Sequence, residues 1–183
     1  MKETRNCKIE KRNEDSRIVE GYAIVFNSES RDLGGFTEVI EPTALEGVLQ
    51  QSDIFSLLNH NVDRRIRARA KYGAGSLKLE VDSTGLKYSF EAPCTNLGDD
   101  LLEGLKRGDI TTSSFAFTID SDTWTKKDNG SYIRTINKFK ELFDVSPVYK
   151  EAYPDTSVAL RKLESFDKED LTDYYRELRH KLQ

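Results

Sequence analysis

Cysteine and histidine are scarce in this chain of 183 residues, with two of each. Cys7 and Cys94 are too few for a disulfide framework, which points to a reducing compartment. Taken with His60 and His180, they lie far apart in sequence and form no zinc-ligand spacing. Long apolar runs are also missing. None approaches the length of a membrane span, and residues 1–6 lack the apolar stretch of a secretory signal. The expectation is a soluble, cytosolic protein without a membrane partner. Charge of one sign is not in excess either. Lys and Arg number 28 against 32 Asp and Glu, a net charge of −4, which argues against nucleic acid as a main partner. No P-loop and no Gly-x-Gly-x-x-Gly is present, so no cofactor is expected. Internal repeats and low-complexity tracts are absent.

What the chain does have is strand pattern. Residues 17–26 are rich in β-branched and aromatic side chains and read as a strand. Residues 36–40 read as a short strand. Pro42 suits the first turn of a helix carrying Ala44, Leu45, Val48 and Leu49. Residues 53–59 read as a buried strand ending at His60. From Arg65 to Lys71 basic and apolar residues alternate, with Arg65, Arg67, Arg69 and Lys71 on one face, read as solvated. Residues 76–81 and 86–91 form a hairpin around the turn 82–85. Leu97, Leu101, Leu102 and Leu105 have helical spacing, and Gly108 is a suitable stop. Strand signals return at 110–119, 131–139, 141–149 and 157–163. The stripe Leu171, Tyr174, Tyr175, Leu178 and Leu182 marks an amphipathic helix. The pattern predicts a mainly β chain with flanking helices (α+β), its antiparallel strands closed into a barrel or a highly curved sheet. Residues 1–164 are expected to form the principal domain and 165–183 a helical C-terminal tail.

One stretch carries chemistry: Gly108-Asp109-Ile110-Thr111-Thr112-Ser113-Ser114-Phe115-Ala116-Phe117. A serine becomes a nucleophile when an adjacent base accepts its proton, and histidine suits that role. Strand alternation separates the two serines. Ser113 shares a face with Phe115, Phe117 and Ile119, the natural core face. Ser114 shares the other with Thr112, Ala116 and Thr118, so Ser114 is the better nucleophile. His60 is favoured as base because His180 lies between Arg179 and Lys181 in the tail. A third group, often a carboxylate, orients the imidazole. Asp144 and Glu141 are the candidates, and a Ser–His dyad is the remaining option. Asp144 sits between Phe143 and Val145, where a carboxylate needs a partner. Cys94 lies just before a helix, where a thiolate is stabilised, but no Cys–His signature surrounds it.

A resemblance joins these pieces. Residues 21–27, 35–40 with Pro42 and Ala44, Leu58-Asn59-His60-Asn61, 77–82 with Gly85-Leu86, 105–110, Ser114-Phe115-Ala116-Phe117, 144–148 and 152–156 follow one another in a known order. In that order the chain resembles the prohead proteases of tailed bacteriophages, capsid-maturation enzymes related to herpesvirus assemblin. The family's Asn-His pair falls on Asn59 and His60, and its Ser-Phe-x-Phe serine on Ser114. Its acidic residue before Val-Ser, usually glutamate, is Asp144 here, one methylene shorter. The residue before the nucleophile, often methionine, is Ser113. Arg67-Ala68-Arg69 stands where Gly-Arg-Thr is common. Assemblins use a second histidine as third member; here a carboxylate or a dyad is implied. The resemblance implies a serine endopeptidase on a closed barrel flanked by helices. Its implied substrate is the scaffold, or a scaffold-like extension of the major capsid protein, and also the enzyme itself. The setting is the procapsid in the host bacterial cytoplasm, with the enzyme as a homodimer or higher homo-oligomer. The alternative is a non-catalytic module for capsid assembly or scaffold binding on the same fold.

Overall fold

A computed structural model describes residues 3–11, 16–61 and 67–149. The expected strand at 157–163, the tail helix and His180 lie outside the described residues, as does the first part of the basic segment after His60. Ten strands and one α-helix are present among the described residues. They are β1 (Glu3–Lys11), β2 (Ile18–Val25), β3 (Phe36–Ile40), β4 (Asp53–Ser56), β5 (Ala68–Lys71) and β6 (Ala74–Gly75). β7 (Lys78–Val81), β8 (Gly85–Glu91), α1 (Asn96–Arg107), β9 (Thr112–Lys126) and β10 (Tyr132–Val148) follow.

The strands pair in the order β6-β5-β4-β10-β9-β1-β2-β8-β7, with β3 added to β10 off this path. β10 is the organising strand. It runs antiparallel to β9 along its length, while its other edge takes β3 first and β4 later, both parallel. The two expected strands 131–139 and 141–149 are therefore one long strand. Repeated register shifts along the β9–β10 pair keep it hydrogen-bonded, since bulges bend and twist a ladder without ending it. The path is open: no pairing between its end strands β6 and β7 closes a barrel among the described residues. Those two strands are nevertheless joined by only Ser76 and Leu77.

The core lies on one side of β9 and β10. Phe115, Phe117, Phe139, Leu142 and Val145 pack there with Val19, Ile24, Leu86, Tyr88 and Phe90 of the β2–β8 strands. Phe117 meets Phe115 at 5.1 Å and Phe139 at 5.0 Å between ring centroids, close enough for favourable aromatic contact. α1 adds Leu101. Its start is capped by the Thr95 hydroxyl, which accepts the Gly98 N–H at 3.4 Å, and its end by Gly108 in the left-handed region at φ 77°.

Two local expectations change. The helix after Pro42 is a 3₁₀ turn (Pro42–Leu45) followed by further turns, because Gly47 takes φ 75° and breaks the helical run. Ala44, Leu45, Val48 and Leu49 are buried all the same. Arg67, placed by alternation on a solvated face, is 5% exposed, and burial lowers its guanidinium pKa.

A buried ionic cluster ties the N-terminal strand to the sheet. Arg134 of β10 donates to Glu3 and Glu38 at 2.9 and 3.2 Å and to Asp122 at 2.7 Å. Arg5 donates to Glu38 at 2.7 Å and to Glu3 at 3.0 Å. This matters to the site because β1 is the neighbour of β9, with Asn6 opposite Ser114.

Candidate active site

Ser114 and Ser113 occupy opposite faces of β9. Ser113 points to the core side, where its Oγ lies 2.6 Å from the Tyr88 hydroxyl. Ser114 points away from that side, and its Oγ lies 2.7 Å from His60 Nε2. The strand that carries Ser114 is hydrogen-bonded on both edges, to β1 and to β10. A nucleophile on such a strand is held more firmly than one on a loop.

His60 sits on a tight turn directly after β4. Asn59 and His60 both have φ 55°, and Asn61 N–H donates to Leu58 C=O at 3.2 Å. Two central residues with positive φ and an i to i+3 hydrogen bond are the pattern of a type I′ turn. Asn and His are among the few non-glycine residues that take this conformation readily, so the Asn59-His60 dipeptide suits the turn. Asn59 N–H donates to Pro147 C=O at 3.0 Å, fastening the turn to β10. The turn aims the imidazole between β9 and β10, with Nε2 toward Ser114 and Nδ1 toward Asp144.

Asp144 Oδ1 lies 2.5 Å from His60 Nδ1. Its place on this face depends on a bulge. Leu142 pairs with Phe117, but Asp144 pairs with Ala116, so Phe143 is an extra residue in β10. Strict alternation from Leu142, a core residue, would turn Asp144 toward the core. The bulge reverses the parity and brings Asp144 to the face of Ser114. The Leu142 N–H is taken by Ser52 Oγ at 3.2 Å, which satisfies a donor beside the disrupted ladder. Glu141, the other candidate, is exposed and paired with Thr118.

Asp144 is 1% exposed and Ser114 0%, while the His60 side chain keeps 19% of its surface. A buried carboxylate must be satisfied by hydrogen bonds or an opposite charge. Asp144 Oδ1 accepts a second hydrogen bond, from Ser146 Oγ at 2.8 Å. Sequence reasoning passed over Ser146, although its position two residues after Asp144 places it on the same face. Cys94 is exposed and in none of these contacts. Among the described residues no group of His, Cys, Asp and Glu could hold a metal ion, and no helix is long and apolar enough to cross a membrane.

A hydroxyl, an imidazole and a carboxylate in a hydrogen-bonded row can deprotonate the hydroxyl as it attacks a carbonyl. Comparison with known proteins bears on that chemistry. No curated protein matches the sequence. The solved structure of the bacteriophage T4 capsid assembly protease aligns with 82% of this chain and 98% of its own. The identity is 11% and the TM-score 0.49. The caudovirus prohead serine protease family matches residues 5–169, most of the sequence. The chain belongs to the caudovirus prohead serine protease family.

Proposed function

We propose that Ser114, His60 and Asp144 are the nucleophile, base and orienting acid of this protease. The observation that carries the reading is the unbroken row from Ser114 Oγ to His60 Nε2 at 2.7 Å and from His60 Nδ1 to Asp144 Oδ1 at 2.5 Å. With Nδ1–H held by Asp144, the lone pair of Nε2 faces the serine hydroxyl. Ser114 Oγ attacks the scissile carbonyl carbon as its proton moves to Nε2. The C–N bond then breaks, and Nε2–H gives that proton to the leaving amine. The resulting acyl-serine ester is hydrolysed by water, whose proton passes through the same nitrogen.

The substrate we propose is the scaffold, or a scaffold-like extension of the major capsid protein, together with the enzyme's own chain, cut inside the procapsid in the bacterial cytoplasm. Family membership supports this assignment. A homodimer or higher oligomer is the working form in this reading. The short link between β6 and β7 supports a barrel-like curvature of the sheet.

The test is co-expression with the capsid protein, with processing followed by mass spectrometry. Ser114→Ala is expected to abolish processing, while Ser113→Ala, which removes only the Tyr88 contact, keeps most of it. Equal processing by wild type and Ser114→Ala would sink the reading.

A further inference from the structure

Ser146 is fully buried on β10 and sits directly opposite Ser114 across the β9–β10 ladder. Alternation puts its side chain on the face that carries Asp144. Its hydroxyl joins two parts of the site. It lies 2.8 Å from Asp144 Oδ1 and 3.1 Å from the backbone N of Leu57. Leu57 immediately precedes the Leu58–Asn61 turn that presents His60. The direction of each hydrogen bond follows from chemistry. A backbone N–H can only donate and an ionised carboxylate can only accept, so the single hydroxyl proton goes to Asp144.

We infer that Ser146 is a positioning residue that locks the carboxylate of Asp144 and the root of the His60 turn to each other; the inference rests on the triad reading above. Asp144 Oδ1 receives both Ser146 Oγ–H and His60 Nδ1–H. Rotating the carboxylate about its terminal torsion would strain both bonds together. That torsion is intrinsically broad, so fixed donors, the Ser146 hydroxyl among them, are what select one orientation. The Leu57 N–H meanwhile holds the hydroxyl itself. Asn59 N–H on Pro147 C=O, one residue along β10, forms a second tie of the turn to the same strand. A serine that only filled space here would not need both partners.

The test compares full-length wild type, Ser146→Ala, Ser146→Thr and Ser114→Ala, at a concentration where wild type is labelled by a fluorophosphonate. Ser146→Ala is expected to slow labelling by about ten- to a hundredfold, the range found in metal sites when a hydrogen bond that orients a metal-binding side chain is lost. Ser146→Thr restores the hydroxyl and is expected to recover most of the rate. The downfield proton resonance of His60 Nδ1–H should shift or broaden in Ser146→Ala and return in Ser146→Thr, which loss of packing alone would not produce. If Ser146→Ala does not fold, Ser146→Cys, of similar volume and weaker donor strength, takes its place. A labelling rate for the hydroxyl-free variant within twofold of wild type, or a threonine variant no better than alanine, overturns the inference. Labelling that survives in Ser114→Ala overturns the triad and the inference together. Labelling lost there but unchanged at Ser146 overturns the inference alone.

Discussion

Replacing Asp144 by asparagine is the most discriminating change at the proposed triad. Asparagine has nearly the same volume and can still pair with Ser146 Oγ, accepting from it through the amide oxygen or donating to it through the amide nitrogen, so the fold has little reason to respond. The imidazole does. An amide nitrogen facing Nδ1 donates to it and drives the proton to Nε2, the nitrogen that must accept from Ser114 at 2.7 Å. An amide oxygen facing Nδ1 keeps the tautomer but loses the charge that stabilises the imidazolium. Asp144 is 1% exposed, so bulk water cannot substitute for that charge. Loss of the carboxylate in Ser-His-Asp enzymes costs about 10⁴-fold in rate, or about 5 kcal/mol of transition-state stabilisation. The same order is expected here. The assay is the second-order rate of fluorophosphonate labelling, with circular dichroism and a melting curve to show an intact fold. A folded Asp144→Asn within about tenfold of wild type would refute the reasoning and favour a Ser–His dyad.

Two further outcomes concern the scaffold around the site. Arg134→Ala leaves Glu3, Glu38 and Asp122 with Arg5 as the remaining cation of the cluster among the described residues; breaking a buried pair costs roughly 3–5 kcal/mol. A fall in melting temperature of roughly 6–20 °C is expected by calorimetry, and a fall below about 2 °C would show that the cluster contributes little. Acid sensitivity should trace in part to Asp82, whose pKa is lowered from 3.8 by the Tyr22 hydroxyl first and then by the Gly85 N–H. A carboxyl lowered on folding contributes stability above its unfolded pKa, and that contribution is lost as pH falls through the folded value. Urea midpoints should therefore drop below about pH 4, and Tyr22→Phe should flatten the drop; an unchanged slope would count against this account.

How far the site could be read from residues depended on where alternation held. Through 112–117 it held, so Ser114 and Ser113 could be assigned to opposite faces without coordinates. His60 stood out by scarcity, yet its aim depends on a turn with two positive φ angles. The available signal was Asn59 beside His60, both tolerant of that region. Asp144 was preferred to Glu141 for its apolar neighbours and its place in the family's motif, but alternation could not show its face, because the extra residue Phe143 breaks the parity on which a face assignment rests. Ser146 looked like an ordinary strand serine for the same reason. Arg67 misled in the other direction: regularly spaced arginines suggested a solvated face, and burial of one is set by what packs over it. The helix after Pro42 failed at Gly47, whose left-handed backbone outweighs the apolar spacing around it. Strand content was legible from composition and turns, whereas the strand order depends on long-range pairing that no local pattern specifies.

The bulge at Phe143 has a consequence at the level of the gene. Any amino-acid substitution at this residue leaves the chain's length, and so the parity of β10, untouched. Loss of its codon would close the bulge: Asp144 would follow Leu142 directly, alternate onto the Ser114 face and still pair with Ala116, and Ser146 would keep its place opposite Ser114. A deletion should therefore be tolerated at Phe143 better than at Val145, whose loss would put Asp144 and Ser146 on opposite faces of β10.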